Sequence, residues 1–118
     1  MKLGEVCLLT EDVRRLADFY KKLLQVENGS EDETHQCILA EETMLTVYHD
    51  GAKREKNFQN IQLAFTVEDL DAAYERVRAL GAKVVKPPAK RPWGAVNMSF
   101  LDPDGNLLFF RSFPEKQP

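Results

Sequence analysis

The strongest constraint on the fold is that the chain writes one pattern twice. Residues 5–24, EVCLLTEDVRRLADFYKKLL, lie over residues 62–81, QLAFTVEDLDAAYERVRALG, at a constant offset that sets Glu11 on Glu68 and Asp12 on Asp69. A repeated unit buries its apolar side in the same way each time, so each copy is a check on the other. Both copies open with a segment, 5–10 and 62–67, whose alternate residues are apolar enough for a strand with one buried face. Asp12 and Asp69 then stand where a helix N-cap belongs, able to accept the free amide hydrogens of a first turn. From there the spacing becomes helical. Val13, Leu16, Tyr20 and Leu23 form one stripe; Leu70, Ala73, Val77 and Leu80 form the matching one, and Gly81 is placed to end the second helix.

The remainder of each copy predicts three more strands. In the first copy these are 25–28, 35–40 and 44–49; in the second, 82–86, 96–101 and 107–113. The last two are joined by DPDGN, residues 102–106. Pro103 suits the second position of a type I turn, Asp102 can accept backbone hydrogens, and Gly105 supplies a left-handed conformation. Two βαβββ units with helices on one side of a largely antiparallel sheet make an α+β fold. The expected organisation is one domain, 1–118, with unit one at 1–50, a linker at 51–60 and unit two at 61–118. The basic run from Lys53 to Lys56 in that linker reads as solvated surface.

A chain of 118 residues, 43% hydrophobic, has enough apolar material for a core without a metal or disulfide staple. Its 16 basic and 19 acidic residues are interspersed and leave a formal charge of −3, which gives no footprint for nucleic acid or for an anionic membrane surface. Cys7 and Cys37 are too far apart for a CxxC pair, and each lies in an apolar segment. They are expected to be buried free thiols in a reducing compartment. Charged Glu5, Glu11 and Asp12 interrupt the start of the chain before any signal-peptide core, and no apolar run approaches a membrane span, so a cytoplasmic location is expected.

In this order, the strand-aspartate-helix opening ending in Phe19 and Tyr20, the second opening LAFTVEDLDAAYERVRALGA, the Trp93-Gly94 pair and FLDPDGNLL from Phe100 resemble the vicinal oxygen chelate superfamily, which includes glyoxalase I, bleomycin-resistance proteins and extradiol dioxygenases. The resemblance covers nearly the whole chain. It implies that two units curl their strands into an open half-barrel cup with the helices outside. The strand period of two then sorts residues between an apolar, helix-facing side, such as Val6, Leu8, Leu45, Val47, Leu63, Phe65, Leu108 and Phe110, and a mixed, cup-facing side. Convergent polar groups on an apolar floor are what a small-molecule site requires.

In metal-dependent members of the superfamily, ligands come from the first and last strands of each unit. The matching positions here are Glu5, Thr46, Gln62 and Phe109. A divalent cation wants oxygen or imidazole donors, and a phenyl ring offers none. The resemblance therefore implies no metal and no cofactor, and leans away from an enzyme. The expected function is metal-free binding of a small organic molecule, partly aromatic and partly polar, as in drug or metabolite sequestration. The expected ligand-binding residues are Glu5, Cys7, Thr46, Tyr48, Gln62, Trp93, Asn97, Phe109 and Arg111. Phe109, Trp93 and Tyr48 would stack; Glu5, Gln62, Asn97 and Arg111 would orient the ligand.

Each of these residues has a plainer reading. Glu5 is either a general base or the partner of Arg111 in a neutralising pair; Cys7 is more simply a small hydrophobe than a nucleophile; Trp93 is either a lid or a rim plug; His35 and His49 fall outside the ligand positions. The alternative function is a metal-dependent glyoxalase-like lyase or isomerase, in which metal polarises substrate oxygens while a carboxylate moves a proton. A third is a structural or regulatory dimer with a filled cup. A homodimer is expected in each case, because open sheets leave edges that seek partners.

Overall fold

A computed structural model describes residues 3–27, 29–54, 62–92 and 94–114. The chain divides into two compact units, Met1–Glu55 and Lys56–Pro118. In the first, β1 (Glu5–Leu9) leads into α1 (Val13–Leu24), then β2 (His35–Ala40) and β3 (Met44–Tyr48). In the second, β4 (Gln62–Thr66) leads into α2 (Leu70–Ala79), then β5 (Val84–Lys90), β6 (Val96–Leu101) and β7 (Leu107–Ser112). The sheets run β1-β3-β2 and β4-β7-β6-β5. In both, the opening strand pairs parallel with the last strand, and the last strand pairs antiparallel with its hairpin partner. The repeat in the sequence is therefore a repeat of topology, and the fold is α+β.

The local chemistry that marks the repeat recurs too. Asp12 Oδ1 accepts from the Arg15 amide at 3.1 Å, and Asp69 Oδ1 accepts from the Ala72 amide at 3.0 Å, so each aspartate satisfies a donor that its helix leaves unpaired. The first helix stripe is sealed, with Val13, Leu16, Tyr20 and Leu23 at most 1% exposed; in the second, Leu70, Ala73 and Val77 are buried, whereas Leu80, the cap residue after α2, is only half-buried. In unit two, α2 packs on β5, β6 and β7. There Phe110 lies 5.1 Å from the Phe100 ring and 6.2 Å from the Phe65 ring, the spacing of interacting aromatic pairs.

The DPDGN turn closes as its residues demand. The Gly105 amide donates to the Asp102 carbonyl at 3.0 Å, and Gly105 has φ +87°. Asp102 Oδ1 accepts from the amides of Asp104 and Asn106 at 2.9 Å each, while Oδ2 accepts from the Asn106 side chain at 2.7 Å. One carboxylate thus organises the entire reversal.

Two expectations need correction. The strand expected at 25–28 is not formed by its described residues 25–27. Helix α1 ends in a left-handed Gln25, φ 56°, and the amides of Gln25 and Val26 both donate to the Lys21 carbonyl, turning the chain away before it can extend. Unit one is thus βαββ among its described residues. Conversely, β5 runs four residues further than expected, through Pro87 and Pro88. Proline removes a ladder donor, which an edge strand tolerates; β5 is the edge of its sheet, and its register slips between Val84 and Lys86 and again between Lys86 and Ala89. In the linker, Lys53 and Arg54 are exposed as expected, with Arg54 paired to Asp50 and its amide held by Glu11 Oε2 at 2.7 Å.

Candidate functional site

In unit two, the face opposite α2 is assembled in cross-strand rows. Register places Ala64 and Ser99 on either side of Phe109, Gln62 and Leu101 on either side of Leu107, and Thr66 and Asn97 on either side of Arg111. The middle row sets the half-buried Phe109 ring between two short side chains, an exposed Ala64 and a buried Ser99. In the polar row, Arg111 Nε donates to Thr66 Oγ1 at 3.0 Å, and the Arg111 guanidinium lies 5.4 Å from the centre of the Phe113 ring.

Asn97 is engaged from its other side. Arg91 Nε donates to Asn97 Oδ1 at 2.8 Å. The Arg91 backbone is held by the turn that follows β5: its amide donates to the Ala95 carbonyl at 2.7 Å, and its carbonyl accepts from Gly94 at 3.1 Å. Gly94 has φ +94°, a conformation that side chains resist. Sequence reasoning did not anticipate Arg91. The signal was a basic residue just ahead of the Pro92-Trp93-Gly94 sequence, but its direction depends on how far β5 runs, and the sequence ends β5 at Lys86.

In unit one, the corresponding face reads differently. Its rows are Glu5 with Met44 and Ala40, Cys7 with Thr46 and Cys37, and Leu9 with Tyr48 and His35. Thr46 is fully buried, and its hydroxyl donates to Glu5 Oε2 at 2.7 Å, a charge-assisted bond that satisfies the threonine and fixes the carboxylate. Leu9, Met44 and Tyr48 are 41%, 38% and 37% exposed, and the Tyr48 ring meets His35 edge-on at 6.0 Å. The cysteines correct another expectation. Both are free thiols, but Cys7 is exposed and Cys37 only half-buried, because both lie on the face that the helix does not cover.

Of the residues expected to form a site, Glu5, Cys7, Thr46 and Tyr48 therefore share one face in unit one, and Gln62, Asn97, Phe109 and Arg111 share one face in unit two. Trp93 lies outside the described residues. Glu5 and Arg111 each find a neutral hydroxyl partner within their own unit, Thr46 and Thr66.

The residues at the superfamily's ligand positions do not suit a divalent ion. Glu5 has one oxygen committed to Thr46, the Thr46 hydroxyl spends its hydrogen on Glu5, Gln62 is a neutral amide, and Phe109 has no donor atom. Among the described residues, no three His, Cys, Asp or Glu side chains gather as a metal group would require. Nor, among them, is any helix long and apolar enough to cross a membrane.

Comparison with known proteins agrees with this architecture. The sequence model of the glyoxalase/bleomycin resistance protein/dioxygenase superfamily matches residues 2–110. The uncharacterized protein YraH of Bacillus subtilis is 34% identical over 92% of this chain and 95% of its own. Among solved structures, a glyoxalase/bleomycin resistance protein/dioxygenase from Nocardioides superposes with a TM-score of 0.77 at 23% identity, covering 99% of this chain and 86% of that one. The fosfomycin resistance protein FosX of Listeria monocytogenes superposes with a TM-score of 0.74 at 21% identity, covering 95% of this chain and 93% of that one. With its doubled opening motif, its parallel pairing of first and last strands and the DPDGN hairpin, the chain belongs to the glyoxalase/bleomycin resistance protein/dioxygenase superfamily.

Proposed function

We propose that this protein binds a small organic molecule, partly aromatic and partly polar, without metal and without turnover. The observation that carries this reading is Phe109: the last-strand position that would complete a cation site holds a half-buried ring between Ala64 and Ser99. The ring supplies stacking area, while Gln62, Asn97 and Arg111 on the same face supply hydrogen bonds and charge. On the face of unit one, Tyr48 offers a second aromatic surface and Glu5, Cys7 and Thr46 its polar groups; Trp93 belongs to the proposed set through its place in the sequence.

Drug or metabolite sequestration is the natural use of such a surface, in keeping with the fosfomycin-resistance name of one structural relative. We further propose a reducing, cytoplasmic setting, which suits two free thiols, and a homodimer, since each sheet taken alone has two edge strands. Light scattering on an eluting peak tests the dimer.

A thermal-shift screen tests the central reading. A ligand at about a hundred times its Kd adds roughly 2.7 kcal/mol, enough to raise the melting temperature measurably. At least one class of aromatic polar compounds is expected to stabilise the protein, while manganese, nickel and zinc do not. Stabilisation by a metal and by no organic compound would overturn the reading.

A further inference from the structure

The face that carries Phe109 has an unbalanced charge. Arg91 and Arg111 approach it from opposite sides of Asn97, and each donates its Nε hydrogen to a neutral oxygen, Asn97 Oδ1 or Thr66 Oγ1. A guanidinium has five N–H groups and a charge that never titrates in a protein, so each arginine keeps its terminal donors and its full charge. Among the described residues of this unit, neither arginine is ion-paired with a carboxylate, whereas Arg78 on α2 has Glu75 at 3.4 Å. Lys86, opposite Ser99 in the β5–β6 register, adds a third cation, and none of the strand residues on this face is acidic. The chain as a whole carries −3, so this concentration of positive charge is local.

Like charges on one face with no acid between them raise a local positive potential that favours a ligand of the opposite charge. Guanidiniums whose stems are already fixed by Nε bonds are preorganised for carboxylate or phosphate oxygens, which they grip in pairs. The neighbouring row is the Phe109 row, two residues along the strand, or about 6.7 Å away. An aromatic body and an anionic group would thus be read by adjacent rows of one sheet.

We infer that the ligand is an aromatic anion, a molecule whose ring lies on Phe109 and whose carboxylate or phosphate is held by Arg91 and Arg111. This deepens the reading above and rests on it, since it names the ligand class for the same face. Its chemistry adds what Phe109 alone does not specify, a sign of charge and a direction.

The test is a titration by NMR chemical shift at low salt with four probes: 3-phenylpropionate, its neutral amide, phenyl phosphate and inorganic phosphate. The carboxylate or the phenyl phosphate is expected to bind at least about tenfold tighter than the amide, to weaken as salt is added, and to outcompete inorganic phosphate. Which of the two binds tighter identifies the anionic group. Arg91→Gln and Arg111→Gln should each weaken that binding by about tenfold, Arg111→Lys should restore part of it, and Arg78→Gln should leave it unchanged. Circular dichroism of each variant separates lost binding from lost fold. If the amide binds as tightly as the anions, or if neither glutamine variant weakens the anion, the inference fails while the proposed binding function stands. If no probe binds and a divalent metal does, both fail.

Discussion

The two units share a plan and differ in their chemistry, and the difference lies almost entirely on one side of each sheet. On the helix side the copies agree: Leu45 and Val47 in one and Leu108 and Phe110 in the other are buried apolar residues, beneath helices opened by aspartate caps. On the other side they diverge, with Glu5, Cys7, Thr46 and Tyr48 in one and Gln62, Asn97, Phe109 and Arg111 in the other. An apolar face is constrained because any polar replacement must be desolvated, whereas the opposite face is free to be rewritten. Strand parity thus divides the two sides, with an acid held by a threonine hydroxyl in unit one and two guanidiniums held by neutral oxygens in unit two.

Replacement of neighbours on β7 tests that division most severely. Phe110 is 1% exposed, so Phe110→Ala should cost about 3–5 kcal/mol in chemical denaturation, through lost burial and the cavity left behind. Phe109→Ala, one residue away on the other face, should cost about 1 kcal/mol in stability and yet abolish binding of the aromatic ligand. Equal destabilisation by the two would break the parity argument.

A smaller effect separates the ways the helices stop. Unit two uses Gly81 at φ +73°, where an added Cβ meets nothing within 4 Å, so Gly81→Ala should cost about 1–2 kcal/mol from backbone strain alone. Unit one ends α1 with Gln25 at φ 56°, so Gln25→Gly should recover up to about 1 kcal/mol. The N-caps, by contrast, should behave alike: Asp12→Ala and Asp69→Ala should each cost about 1 kcal/mol by the same unfolding measurement.

The smallest expected effect is a pH dependence confined to unit one. Asp32 Oδ1 accepts from the amides of His35 at 2.9 Å and Thr34 at 2.8 Å, at the entry to β2. Backbone hydrogen bonds, that of His35 foremost, hold its carboxyl below the ordinary value of 3.8. A folded pKa depressed in this way contributes stability that is present above 3.8 and lost as pH falls through the lower folded value. Protection of the Thr34 and His35 amides, taken relative to the intrinsic exchange rate at each pH, should therefore fall in that acidic window and hold steady there in Asp32→Asn.

Much of this architecture was legible in the residues. The repeat, both aspartate caps, the helix stripes up to Leu80 and the DPDGN hairpin follow from local rules that no distant contact overrides, and the parity of β1, β3, β4 and β7 followed from alternation. What escaped depended on where elements stop. Gln25 gives no sign that it would adopt a left-handed conformation usually left to glycine, so a fourth strand was expected in unit one where the chain turns away. Pro87 and Pro88 argued for a loop, and only their place on a sheet edge admits them to β5. That extension is what aims Arg91 at Asn97, so the second guanidinium was hidden behind a strand boundary. The exposure of Cys7 was missed because a thiol in an apolar segment reads as core, although its parity put it on the uncovered side.

The central claim is that Phe109, in place of an oxygen donor, suits this face to an organic molecule and not to a metal ion. Elemental analysis of protein purified without chelator addresses it most directly. The account predicts no stoichiometric manganese, nickel, iron or zinc; one equivalent of a divalent metal per chain, lost in Glu5→Ala, would contradict it.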